Sequence, residues 1–150
     1  MGTHYSGTPN EVRALDAYIK LYRASESVSG RINEHLADLG LTVSQFGTLE
    51  ALYHLGPMHQ NQIALRILKS TGNITHVIGN LVKHDLVERR RDHDDRRCVT
   101  VHLTQKGRKL IHGFFDKHVA RVVETFACLT PEEQSELARL CKKLGLGIDI

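Results

Sequence analysis

Tryptophan is absent from this chain of 150 residues, cysteine and proline occur three times each, and aromatic residues make up 5%. The three cysteines, Cys98, Cys128 and Cys141, are odd in number and far apart. Without a CxxC pair they exclude a disulfide framework and fit a reducing, cytoplasmic setting. No apolar run approaches the ~18 residues that span a bilayer. The first six residues, Met1 to Ser6, carry neither a basic nor an apolar leader segment, so no secretory signal is expected. GxxxxGK[ST], GxGxxG and GxSxG are missing, and no catalytic carboxylate pair stands out, so the chain is expected to be no enzyme and to need no cofactor. Ten histidines invite a metal site. However, His112 and His118 fall on different faces of a helix and no HxxxH or HExxH occurs, so no metal ligands are assigned.

What is present is an ordinary globular composition, 41% hydrophobic and 25% charged. The net charge of +3 is unevenly spread. Residues 1–59 hold 4 basic and 6 acidic side chains, residues 60–121 hold 13 and 6, and residues 122–150 hold 3 and 5. A basic middle between acidic ends points to one part of the fold facing a polyanion; a solvated charged face is the competing reading.

Helix-start chemistry recurs along the chain. Thr8-Pro9-Asn10-Glu11 is a capping box with proline at the first helical position, and Val12, Leu15, Ile19 and Tyr22 follow at helical spacing. Val28, Ile32, Leu36 and Leu39 continue that period past Gly30. Unbroken, residues 9–39 make a helix of roughly 46 Å. That exceeds what a small core covers, so part of it is expected to pack on a second subunit. The alternative is two helices with a break at Gly30. Thr42-Val43-Ser44-Gln45 opens a second helix ended by Gly56-Pro57, and a short helix runs through residues 62–68, its start at His59-Gln60-Asn61-Gln62 less clearly marked. Ser70-Thr71-Gly72-Asn73 then caps an amphipathic helix over about 71–84, buried through Ile74, Val77, Ile78 and Leu81.

The period next changes to two. Strands at 86–91 and 98–103 flank the polar tip Asp92 to Arg97, which reads as a hairpin. Thr104 opens a long helix with a wide apolar stripe, and Thr130-Pro131-Glu132-Glu133 opens a last helix with a seam of Leu137, Leu140, Cys141 and Leu144. Lys106, Arg108 and Lys109 open the long helix where the dipole disfavours cations, so a nearby phosphate and a solvated face are both open readings.

The middle elements make a helix-turn-helix followed by a β-wing. In that arrangement the helix from Thr71 enters the major groove and presents Ser70, Thr71, Asn73, Thr75 and His76. Arg96 and Arg97 at the hairpin tip reach the flanking minor groove, where negative potential concentrates. Arg89, Arg90 and Arg91 alternate across a strand, which puts Arg90 on the face opposite its neighbours.

These residues resemble the MarR family of winged-helix transcriptional regulators. The resemblance rests on Gly72-Asn73-Ile74-Thr75-His76-Val77-Ile78, Leu86-Val87-Glu88-Arg89, Asp95-Arg96-Arg97 and Leu103-Thr104-Gln105-Lys106-Gly107, and the helical flanks extend it over nearly the whole chain. It implies a mainly α fold with a small β-hairpin wing in one domain. The DNA-binding lobe would cover about 41–104, and the dimerisation lobe about 8–40 with 105–147. It also implies a homodimer on a pseudo-palindromic double-stranded operator, held through Val12, Leu15, Ile19, Tyr22, Leu137, Leu140 and Leu144. The DNA-contacting residues become Ser70, Thr71, Asn73, Thr75, His76, Arg89, Asp95, Arg96 and Arg97, with Asp95 orienting the wing and Arg97 entering the minor groove. His76 stands where a basic residue is common, and Asp85 replaces a glycine often found before the first strand. A phenol-like effector that releases a repressor would meet Tyr22, His35, Phe46, His112 and Phe115. Two other readings remain at this point. One is a sequence-indifferent architectural DNA binder. The other is a redox-responsive regulator, although the family's oxidant-sensing branch keeps its reactive cysteine in the first helix, where this chain has none.

Overall fold

Thr8 opens α1 (Pro9–Asn33) by the reciprocal bonds its sequence anticipates. Its N–H donates to Glu11 Oε2 (2.8 Å), and the Glu11 N–H donates to Thr8 Oγ1 (3.4 Å). The structure, a computed structural model, describes residues 4–68, 70–91 and 99–147, and of Thr71 only the backbone. The helix passes Gly30 without breaking, yet it does not reach residue 39 as an α-helix. At Asn33 it tightens into a 3₁₀ segment (Glu34–Leu39), closed by Gly40 at φ +63° with Leu41 N–H bonded to the Leu36 carbonyl. The tighter turn serves Leu36, which is buried in the core.

The chain divides into two units, residues 33–117 and residues 1–32 with 118–150. In the first, α2 (Val43–Leu55) is capped by Thr42 and Gln45 in a complete capping box. β1 (Met58–His59), α3 (Gln60–Arg66), α4 (Thr71–Lys83), β2 (Val87–Arg91) and β3 (Val99–Leu103) follow, and then the start of α5 (Gln105–Phe126). The sheet order is β1-β3-β2, antiparallel throughout, with Met58 opposite Val101 and Val87 opposite Leu103. The wing hairpin is therefore joined by a third strand, two residues long and too short to show a period in sequence. One core joins Leu49 and Leu52 of α2, Ile63 of α3, Ile74, Ile78 and Leu81 of α4, Val87 and Val101 of the sheet, and Ile111 and Phe114 of α5.

Asp85 adopts φ +57°, the left-handed conformation that the family's glycine would take. It sits just past the end of α4, where the Asp85 N–H bonds the Val82 carbonyl and the Leu86 N–H bonds the Leu81 carbonyl. This is the double bond of a Schellman ending, which the chain builds with aspartate because Asp tolerates that region better than most residues. Glycine there relieves ~1–2 kcal/mol of strain and costs ~0.5–1 kcal/mol in unfolded-chain entropy. Asp85→Gly is therefore expected to raise stability by about 0.5 kcal/mol in urea melts; a loss of stability would mean that the Asp85 carboxylate makes a contribution of its own.

The second unit holds α1 to Ile32, α5 from His118, and α6 (Pro131–Leu146). Thr130 and Glu133 cap α6 reciprocally, with Pro131 in its first turn. None of its described residues is fully buried. Val12 and Ile19 are half-buried, while Leu15, Tyr18, Leu21 and Tyr22 on α1 and Leu137, Leu140 and Leu144 on α6 are exposed. Cys141, expected on a buried seam, is exposed as well, as are Leu137, Leu140 and Leu144 of that seam. Cys128, just past α5, is also exposed, and Cys98 lies outside the described residues.

Candidate nucleic-acid interface

Ser70 takes an extended conformation and its Oγ accepts the Asn73 N–H (3.3 Å), which starts α4. The helix is sharply two-faced. Ile74, Val77, Ile78 and Leu81 are buried, and Asn73, Thr75, His76 and Asn80 are exposed. The positive end of its dipole lies at Ser70, which takes the Asn73 N–H on its hydroxyl and the Ile74 N–H on its carbonyl (3.0 Å). The structure thus brings Ser70, Asn73, Thr75 and His76 to one end and outer face of a helix whose other side is locked in the core. The side chain of Thr71 lies outside the described residues.

A residue missed in the sequence joins this face. Gln60, the first residue of α3, donates its Nε2 to Thr75 Oγ1 at 2.7 Å, across 15 positions of chain. No periodicity reports a bond between two helices.

The wing separates its arginines as strand geometry requires. Arg89 and Arg91 are exposed and share the Val87 side of β2, running out beyond the core. Arg90 lies on the other side, where its guanidinium bonds the Glu88 carboxylate (Nε to Oε1, 2.8 Å). Opposite them on β3, Thr100 Oγ1 donates to the Arg90 carbonyl (3.4 Å) and lies 2.9 Å from His102 Nε2. Burial, and then the Arg90 charge, hold the His102 pKa below its ordinary value, with Glu88 opposing. Protonation of His102 is thereby disfavoured in the folded wing, so its contribution to stability is present above the ordinary histidine pKa and is lost as pH falls. Arg90 is thus a structural member of the wing, and Arg89 and Arg91 are left to face outward. Asp95, Arg96 and Arg97 lie outside the described residues.

The cations at the start of α5 have local explanations. Lys106 Nζ donates to the His84 carbonyl at the end of α4 (2.8 Å), which satisfies an orphan acceptor and complements the negative end of that dipole. The Arg108 guanidinium stands 5.7 Å above the Tyr53 ring.

Four of the five residues expected to line a ligand pocket belong to the unit 33–117 and fall into two groups. His35 stacks on Phe114 (4.8 Å between centroids), which meets Phe46 edge-on, and Phe46 is buried core. His112 is exposed and its Nδ1 lies 2.9 Å from the Tyr53 hydroxyl, while Phe115 packs against His54 at 4.6 Å. Tyr22 belongs to the other unit and lies 6.5 Å from Tyr18, ring to ring. Among the described residues, no three His, Cys, Asp or Glu side chains converge as a metal site would need, and no helix is long and apolar enough to cross a membrane.

Comparison with known proteins points in one direction. A family model described as transcriptional regulator SarA/Rot matches residues 31–114. The chain is similar to the HTH-type transcriptional regulator YkoM of Bacillus subtilis (strain 168), 36% identical over 134 residues that cover 89% of this chain and 87% of YkoM. It is similar also to the HTH-type transcriptional regulator MhqR of the same organism, 34% identical over 135 residues, covering 90% and 93% of the two chains. Among solved structures, AbsC, a MarR family transcriptional regulator from Streptomyces coelicolor, superposes with a TM-score of 0.84 at 22% identity over 95% of this chain and 97% of AbsC. BpsR of Bordetella bronchiseptica, a protein whose DNA binding is regulated by 6-hydroxynicotinic acid, superposes with a TM-score of 0.78 at 26% identity over 86% and 98%.

Proposed function

This chain belongs to the MarR family of winged-helix transcriptional regulators, and from that premise we propose that it is a homodimeric cytoplasmic repressor, reading a pseudo-palindromic operator and released by a phenol-like ligand. The observation that carries the reading is the partition of α4. Its polar groups, Asn73, Thr75 and His76, are exposed together on a helix anchored by four buried side chains, as a groove-reading helix requires. In this reading residues 41–104 contact DNA, with Ser70, Thr71, Asn73, Thr75 and His76 in the major groove, and Arg89 and the tip residues Asp95, Arg96 and Arg97 along the flank. Residues 8–40 and 105–147 make the dimer, and two copies of α4 stand about 34–36 Å apart on one face of the duplex. Exposed leucines and tyrosines on α1 and α6, in a unit with no fully buried side chain among its described residues, support a second copy as their cover. The aromatic groups around Phe114 and around Tyr53 support an effector of planar, hydroxylated shape, the class that the BpsR comparison also suggests.

The test uses an operator selected from random DNA. Asn73→Ala is expected to lower the ratio of operator to random-DNA affinity about tenfold and to leave non-specific affinity nearly unchanged. Arg97→Ala is expected to weaken binding to all DNA and to reduce the salt slope by about one. An unchanged ratio in the first variant, with an unchanged slope in the second, would remove both α4 and the wing from the interface.

A further inference from the structure

On a helix, a threonine splits between two side-chain rotamers, because its hydroxyl can reach a carbonyl one turn back in either of them. The two differ in where the methyl group points. At Thr75 an outside group meets the hydroxyl, the Gln60 amide at 2.7 Å. Gln60 is half-buried and stands at the first position of α3, where its own duty to that helix is slight. The return bond of the helix start comes from Gln62, whose Oε1 accepts the His59 N–H at 2.9 Å. The Gln60 side chain is therefore spent on Thr75, and Thr75 is exposed on the outer face of α4.

We propose that Gln60 is a specificity-determining positioning residue: by drawing Thr75 Oγ1 toward α3 it fixes one rotamer and makes the Thr75 methyl the group offered to the major groove, where it packs on the C5-methyl of a thymine. A methyl contact of this kind separates thymine from the other three bases, since only thymine carries that group at the major-groove edge. The inference rests on the reading of α4 as the groove helix, and deepens it by naming one base and one residue outside α4 that decides it.

The experiment replaces thymines of the selected operator by deoxyuridine, one symmetric pair at a time, which removes the C5-methyl and nothing else. The wild-type protein is expected to lose about fourfold in affinity per half-site at one position, the worth of one buried methyl. Gln60→Met, of similar length but without the amide, is expected to bind thymine and uracil operators equally. Gln60→Glu is expected to restore the preference, because its carboxylate accepts the Thr75 hydroxyl and holds the same rotamer, although its charge lowers overall affinity. Circular dichroism checks the fold of each variant. If Gln60→Met does not fold, the wild-type uracil scan and Gln60→Glu decide the matter. A wild-type protein indifferent to uracil at every position, or a folded Gln60→Met variant that keeps the preference, overturns the proposal while leaving the regulator reading intact. Failure to select any operator overturns both.

Discussion

Gly107→Ala is expected to lower the melting temperature by about 10 °C or more, because among the described glycines of the unit 33–117 it is the one where a new Cβ would run into backbone. A Cβ at this position would stand 2.0 Å from the Leu86 carbonyl oxygen and 2.9 Å from its carbon, with Leu103 Cδ2 at 3.2 Å. The obstacle is backbone, and that backbone is held from both sides. The Leu86 carbonyl accepts the Thr104 N–H at 3.1 Å, and the Leu86 N–H closes the end of α4 on the Leu81 carbonyl at 2.9 Å. Thr104 adds a bond from its hydroxyl to the Asp85 carbonyl (2.7 Å) and accepts the Gly107 N–H (3.0 Å). Relief therefore requires α5 to withdraw from the junction of α4 and β2. Overpacking costs about 1–3 kcal/mol where side chains can yield and more where they cannot, so about 3 kcal/mol is a lower expectation here. Gly113→Ala is the control. It lies on the same helix with nothing within 4 Å of the new Cβ, and should stabilise by about 0.5–1 kcal/mol through helix propensity. Calorimetry on both variants checks the pair; equal melting points would show that the close approach at Gly107 can relax.

If the proposed homodimer is built on α1 and α6, Leu140→Glu is expected to leave a monomer and to lower operator affinity by about 10²–10⁴-fold, the advantage lost when two half-sites are no longer bound by one linked pair of heads. Leu140 is 48% exposed within its own chain, so the glutamate disturbs little of the unit's internal packing. In a dimer built on α1 and α6 the same side chain would be buried, and an unpaired carboxylate there costs several kcal/mol on each side of the two-fold axis. Sedimentation gives the mass and a titration gives the affinity. A glutamate variant that remains dimeric would move the interface away from the α6 seam.

Much of the fold was legible because it rests on local chemistry. The capping boxes at Thr8, Thr42 and Thr130 start helices where the sequence marks them, and the stripe Ile74, Val77, Ile78 and Leu81 is the buried face of α4. The alternation of Arg89, Arg90 and Arg91 correctly assigns Arg90 to the opposite face of its strand. What escaped depends on the rest of the molecule. The Gln60–Thr75 bond joins segments with no sequence relation, and β1 exists only because β3 offers an open edge to Met58 and His59. Lys106 looked misplaced at a helix start until the end of α4 came beside it. Cys141 follows an apolar period, and a period cannot say whether its cover comes from the same chain. The left-handed turn at Asp85 shows the reverse case, in which the backbone motif persists although the residue usual for it is absent.

The most direct test of the central claim, that the exposed face of α4 reads DNA sequence, is an equilibrium competition at one fixed salt concentration between the selected operator and random duplex of equal length. The account predicts a preference of about 10³ or more for the operator. A ratio near one, with tight binding to both duplexes, would contradict it and leave a protein that holds DNA by charge and shape alone.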